Sequence, residues 1–242
     1  MYLENVVVDA RDPQRLGRFW EALLGCTTLS DDPTGSFETR LTVPDGPVLD
    51  LCFEKVDEPP APSPRLHLEV SGGDRQDEVV ARVLELGGRH LDIGQRDVPW
   101  VVMADPEGNP LCVMEARPEY AASGPLSSLP LDCADVERDT RFWSELSGWL
   151  LAPSSMASAL RHPSGRGPLL ELCPELAPKG PDDKNRVHLD LRLEASDDPD
   201  EVVTRLLDLG GSEFHHGWGD LPWRVFRDPS GNELCLLPTP RG

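Results

Sequence analysis

Lysine is scarce in this chain, three residues against 20 arginines, and these 23 cations face 43 carboxylates for a formal charge of −20 over 242 residues. Such an acidic surface repels nucleic acid and anionic lipid, so neither a nucleic acid nor a membrane is expected as a partner. Long apolar runs are missing as well. None approaches the roughly 20 residues that span a bilayer, and the start MYLE has neither the basic nor the apolar part of a signal peptide, which points to a cytoplasmic protein. The six cysteines, at 26, 52, 112, 133, 173 and 235, form no C-x-x-C pair. Four of them interrupt apolar strand patterns, where a free thiol behaves as a small buried side chain, so reduced thiols are expected. Hydrophobic residues make up only 38%. They are nevertheless periodic, which argues for packed cores rather than disorder.

What the chain does contain is a repeat. Residues 98–115, VPWVVMADPEGNPLCVME, return 123 positions later as LPWRVFRDPSGNELCLLP at 221–238. Each copy reads as a hairpin, with Asp and Pro opening the turn and Gly closing it. Upstream, a β-branched run at 5–9 leads to Asp12-Pro13, a helix cap followed by proline. Leu16, Phe19, Trp20, Leu23 and Leu24 then fall on one helical stripe that stops at Gly25. Strand patterns near 26–30, 37–43 and 48–53 complete a βαβββ module. After a stiff Pro-rich connector at 58–64 the order recurs: a strand at 65–70, a helix at 74–86 ended by Gly87-Gly88, strands near 89–93, and the hairpin. Residues 117–128 lack periodicity and read as a linker. Beyond it the pattern repeats, with Asp135 as cap, Phe142-Trp143 on the helix stripe, and RVHLDL at 186–191 matching RLHLEV at 65–70. Two units follow, 1–117 and 126–242, joined by a linker at 118–125.

Paired βαβββ modules with a D-P-x-R-x-x-x-F-W helix, an H-L-E/D strand and a D-P-x-G-N hairpin resemble the glyoxalase/bleomycin-resistance/extradiol-dioxygenase superfamily, also called the vicinal oxygen chelate fold. The likeness covers nearly the whole chain and is greatest to its glyoxalase-like subgroup. It implies an α+β fold of paired βαβββ modules, each pair forming a cupped sheet with helices on the convex side, two such domains in tandem. A small molecule would lie in each cup. It also implies that one chain reproduces the paired arrangement that single-domain relatives make by dimerising, as a monomer with an internal pseudo-dimer or as a homodimer.

Strand alternation sorts the side chains. Leu49, Leu51, Phe53, Leu66, Leu68, Val70, Leu111 and Val113 go to the helix side. The cup receives Asn5, Val7, Asp9, Asp50, Cys52, Glu54, His67, Glu69, Cys112 and Met114 from the first half. From the second it receives Glu171, Cys173, His188, Asp190, Arg192, Cys235 and Leu237. The resemblance carries the metal-ligand positions of the superfamily onto Asn5, Asp50, His67 and Cys112 in one half, and onto Ser128, Glu171, His188 and Cys235 in the other. Only Asp50 with His67 and Glu171 with His188 keep usual ligand types. One carboxylate and one imidazole hold a divalent ion weakly, so no cofactor is expected; zinc, nickel or iron at these four residues is the alternative.

His67 and His188 each precede a carboxylate, Glu69 or Asp190, on the same strand face about 6.6 to 7 Å along. They read as polar networks, or as a base toward an acidic C–H beside a carbonyl. The cysteines at 52 and 173, and at 112 and 235, read as equivalent packing residues. Trp100 and Trp223 begin the hairpins near the rim. With Trp218, Arg192, Cys112 and Cys235 they are the candidate ligand-binding residues, and the richer stretch at 215–220 favours the second cup. The expected function is binding of an apolar or aromatic small molecule without a metal, for sequestration or acid–base chemistry. The alternatives are a metal-dependent lyase or isomerase and a non-catalytic scaffold.

Overall fold

The β-branched run near the N-terminus forms β1 (Tyr2–Ala10), and the Asp12-Pro13 signal starts α1 (Pro13–Leu24) in a computed structural model of the chain. The structure describes residues 1–61, 63, 65–155, 158–180, 183–215 and 219–240. The Asp12 carboxylate accepts from the Arg15 amide at 3.1 Å, and Gly25, at φ 69°, takes the left-handed turn that ends the helix. Three strands complete the module: β2 (Thr27–Asp31), β3 (Ser36–Thr42) and β4 (Val48–Lys55). The second module is β5 (Leu68–Ser71), α2 (Gln76–Glu85), β6 (Arg89–His90), β7 (Val101–Ala104) and β8 (Pro110–Met114). The third is β9 (Leu126–Cys133), α3 (Val136–Ser147), β10 (Leu150–Ala152), β11 (Ser158–Arg161) and β12 (Leu169–Pro174). The fourth is β13 (Val187–Arg192), α4 (Pro199–Asp208), β14 (Ser212–Glu213), β15 (Arg224–Arg227) and β16 (Glu233–Leu237).

The modules combine across the sequence rather than in order. One eight-stranded mixed sheet runs β14-β15-β16-β13-β1-β4-β3-β2 and joins the first module to the fourth; the other runs β10-β11-β12-β9-β5-β8-β7-β6 and joins the second to the third. The joints are antiparallel: Asn5 faces Asp190 across β1 and β13, and Ser128 faces Glu69 across β9 and β5. After β4 the chain leaves the first sheet, and β5 opens the second one.

Helices α1 and α4 cover one sheet, α2 and α3 the other, and a single apolar core runs beneath both. It takes the side chains that alternation assigned to it: Leu49, Leu51, Phe53, Leu66, Leu68, Val70, Leu111 and Val113 are all buried there. The repeated hairpin ties the layers together. Asp105 accepts from its own turn, at the Glu107 and Asn109 amides (both 2.9 Å) and Asn109 Nδ2 (2.7 Å), and Trp20 Nε1 on α1 reaches it at 3.4 Å. Asp228 repeats the arrangement with Ser230, Asn232 and Trp143 Nε1 at 3.2 Å. The two most recognisable sequence motifs, F-W and D-P-x-G-N, therefore meet in space. Among the described residues no helix is long and apolar enough to cross a membrane.

Candidate functional site

Along β13, Val187, Leu189 and Leu191 are taken by the core, so His188, Asp190 and Arg192 must face the concave side. The same alternation turns Asn5, Val7 and Asp9 of β1, Cys52 and Glu54 of β4, and Cys235 and Leu237 of β16 inward. These residues line one cavity of about 750 Å³, which Glu38, Lys184, Leu221 and Trp223 help to close. At its floor the His188 Nε2 atom lies 3.6 Å from Cys235 Sγ and 3.4 Å from Asp190 Oδ1. Asn5 Nδ2 donates to the other Asp190 oxygen at 3.1 Å. Two floor atoms, Asn5 Oδ1 and His188 Nδ1, are buried without a hydrogen-bond partner among the described residues. Arg192 is held by Glu4 and by the Pro238 carbonyl (2.8 Å), and Lys184 by Asp9. Burial, reinforced by the Asp190 charge, pushes the Cys235 thiol far up, which makes it a poor nucleophile.

The second sheet carries a matching floor that is covered. His67 Nε2 stands 3.9 Å from both Cys112 Sγ and Glu69 Oε1. Above it lies the segment between the two repeats, which does not behave as a tether. A 3₁₀ turn at Pro118–Tyr120 drives Tyr120 into the concave face, where it is 8% exposed and packs with Val102, Cys112, Met114, Ala159 and Leu169. Its hydroxyl donates toward Glu69 at 3.4 Å and Glu171 at 3.5 Å. Ser128 also donates to Glu69, and Ser154 to Glu171 at 2.9 Å. Burial raises both carboxyls, and the charge of Glu69 raises Glu171 further. The Arg117 guanidinium lies over the Trp100 and Tyr120 rings, 5.5 Å from each centroid. The sequence reading missed Tyr120 and Arg117 because one turn of chain has no periodicity; the only signal was a tyrosine, one of two in the chain, inside an otherwise small and polar stretch.

Several expectations are corrected. His67 does not share a cup with Asp50, nor His188 with Glu171, because the sheets pair modules from opposite halves; the first half's strands β1 and β4 meet His188, and the second half's β9 and β12 meet His67. Asp50 is engaged by Arg40 in a two-pronged contact at 2.7 Å and stays out of the His188 cluster. The carboxylate that approaches each imidazole is the one on its own strand, Asp190 or Glu69. Strand pairing also aligns Glu171 with Cys52, and Cys173 with Glu54, so Cys52 and Cys173 are not equivalent: Val7 faces Cys52 where Pro130 faces Glu171. Of the candidate ligand-binding residues, Trp223, Arg192 and Cys235 line the open cavity, while Trp100 and Cys112 belong to the covered cup. Trp218 and its neighbour His216 lie outside the described residues.

Among the described residues two groups have donor sets suited to a metal: His188 with Asp190 and Cys235, and His67 with Glu69 and Cys112, the ligand atoms of each lying within 4.8 Å of one another. A tetrahedral zinc with bonds of about 2.0 to 2.3 Å has ligand–ligand edges of about 3.3 to 3.8 Å. Two edges of the open site, 3.4 and 3.6 Å, fall in that range, and the covered site is looser at 3.9 Å.

A family model described as a glyoxalase-like domain matches residues 5–114 and again 128–237. A search of curated proteins finds no match. Among solved structures, glyoxalase I from Zea mays is similar at a TM-score of 0.66 with 16% identity, covering 98% of this chain and 92% of that one. A point mutant of the same enzyme gives 0.64 and 17%, covering 98% and 93%. A provisionally named dioxygenase from Bacillus subtilis gives 0.60 and 13%, covering 100% and 86%. At these identities the structural likeness is one of fold. The double match over both repeats goes further: this chain belongs to the glyoxalase-like domain family.

Proposed function

We propose that the chain binds a small organic molecule in the cavity shared by its first and fourth modules, without a metal. The observation that carries this is the asymmetry between two related cups: one is filled by Tyr120, the other is a cavity of about 750 Å³, within the range of small-molecule sites. Leu221, Leu237, Val7 and the 38% exposed Trp223 supply an apolar wall, and His188, Asp190 and Asn5 a polar floor. A ligand sequestered there needs nothing more. A ligand with an acidic C–H beside a carbonyl would meet an imidazole backed by a carboxylate, the arrangement of a general base. Six free thiols accord with a reducing cytoplasm, where the protein would act as a monomer whose two sheets form an internal pseudo-dimer. Titration with candidate metabolites, read by quenching of tryptophan fluorescence, tests the reading. Binding is expected to disappear in Trp223→Ala and His188→Ala. If those substitutions alter only stability and no compound binds, a scaffold role replaces it.

The 3.4 and 3.6 Å spacings support a second reading, a metal-dependent lyase or isomerase. His188, Asp190 and Cys235 would hold the ion at the cavity floor. Such an ion polarises a bound oxygen as a Lewis acid. Metal analysis of untagged protein separates the two: about one zinc, nickel or iron per chain, lost in Cys235→Ser, would establish the second reading and displace the first.

A further inference from the structure

The two cups share a plan, and the covered one shows what satisfies it. There the chain supplies its own occupant: an aromatic ring, Tyr120, whose hydroxyl donates to Glu69 and Glu171, with the Arg117 cation stacked on it. A cation and a donor-bearing aromatic group thus answer the charge of an acidic concave face. In the open cup no described residue fills the concave face as Tyr120 fills the other. Asn5 Oδ1 is buried without a hydrogen-bond partner, its amide orientation fixed by Nδ2 donating to Asp190, while Asp190, 4% exposed, has His188 Nε2 3.4 Å from its Oδ1. Asn5 Oδ1 is an acceptor, so at that point the floor lacks a donor.

The cavity lining carries four carboxylates, Asp9, Glu38, Glu54 and Asp190, against three cations, Lys55, Lys184 and Arg192, and so is net negative. Glu38 and Glu54 line the cavity and, among the described residues, neither has a lysine or arginine ion-pair partner; Glu38 receives only the Cys52 thiol at 3.4 Å and Ser30 at 3.5 Å. The cavity's own cations are committed: Lys184 to Asp9, Arg192 to Glu4, Lys55 to the Arg11 carbonyl. Glu38 occupies the strand position that Ala159 holds in the other sheet, where Tyr120 lies against it. The open cup is therefore wider there, and its carboxylate stands on β3 rather than on the central strand that carries Glu171 in the other sheet.

Resting on the reading of this cavity as a small-molecule site, we infer that its ligand is an organic cation bearing an aromatic ring. An ammonium or guanidinium would donate to Asp190 and Asn5 and face Glu38 and Glu54, with the ring against Trp223 and Leu221. An anionic ligand would leave the floor acceptor unmet and add like charge, a cost in both terms.

Three probes of one size test the sign: tyramine, 4-hydroxyphenylacetamide and 4-hydroxyphenylacetate, titrated by ligand-observed NMR with chelator present. Tyramine is expected to bind at least about tenfold tighter than the carboxylate, with affinity falling as salt rises. The rim variant Glu38→Gln/Glu54→Gln and the floor variant Asp190→Asn are each expected to weaken tyramine about tenfold and to weaken the neutral amide by less. The rim residues carry no core packing, so the double variant keeps the test valid if Asp190→Asn does not fold. Equal or tighter binding of the carboxylate overturns the inference while leaving the cavity a small-molecule site. Failure of all three probes to bind folded protein removes both readings together.

Discussion

Glu69 and Glu171 meet at one hydroxyl, and their situation fixes a pH dependence. Both carboxyls are buried and raised, and Glu171 is raised further by Glu69; Tyr120, Ser128 and Ser154 supply the opposing hydrogen bonds. A carboxyl that titrates higher in the folded chain than in the unfolded one keeps its proton longer when folded. Its contribution is therefore greatest at low pH and is lost as pH rises from the ordinary carboxyl range through the raised folded value. Glu171→Gln removes one of the two charges and keeps an acceptor for Ser154. The variant is expected to be more stable than the parent by about 1 kcal/mol at pH 8, an advantage that vanishes near pH 4. Urea unfolding at the two pH values checks it. A parent that gains on the variant as pH rises would show that the hydrogen bonds, not burial, control the pair.

At the scale of elements, the segment 117–123 is a plug rather than a joint. Glu119 accepts from Ser155 (amide at 3.2 Å) and Arg161 holds the Glu119 carbonyl and Ser123 Oγ, so Tyr120 is clamped from several sides. Tyr120→Ala is expected to cost about 3 kcal/mol, the usual loss for a large buried ring. It also opens a space shaped for a phenol. 4-Methylphenol should then raise the thermal midpoint of the variant by more than that of the parent; an equal shift in both would mean that the emptied cup collapses. Helices and strands were legible from the sequence because their periods are strong, as with Leu16, Phe19, Trp20 and Leu24, all buried. The plug was not, because one turn has no period. Alternation also placed Leu49, Leu51 and Phe53 on the helix side and Cys52 and Glu54 on the concave side of β4, but matched Asp50 to Glu171, whereas strand pairing matches Cys52 to it. A slip of two residues preserves the faces, so nothing in the alternating pattern opposes it.

For the whole molecule, the repeat is plain in the sequence while the pairing of its pieces is not. Which strand lies beside β1 depends on which sheet β5 joins, and local pattern carries no such information. The result is that neither half contains a complete sheet: His188 and Cys235 come from one end of the chain, Asn5, Asp9 and Cys52 from the other, and both ends build the open cavity. Cross-half clasps reinforce this. Arg65 donates to Asn232 Oδ1 at 2.7 Å and pairs with Glu175 at 2.8 Å; Arg186 pairs with Glu107 and donates to the Asp9 carbonyl at 3.1 Å. Cutting the chain after the exposed Ala121 should accordingly give two pieces that do not fold as compact monomers. Alone, each exposes the apolar edge of a half-sheet and is expected to be unfolded or to pair with a second copy of itself. Mixed in equal amounts, they should form a one-to-one complex of native size that unfolds in a single transition. Size-exclusion chromatography and circular dichroism of the separate and mixed pieces measure this. A piece that folds alone as a stable monomer would mean that the sheets can close within one half, and that the exchange between halves is not what holds the cavity together.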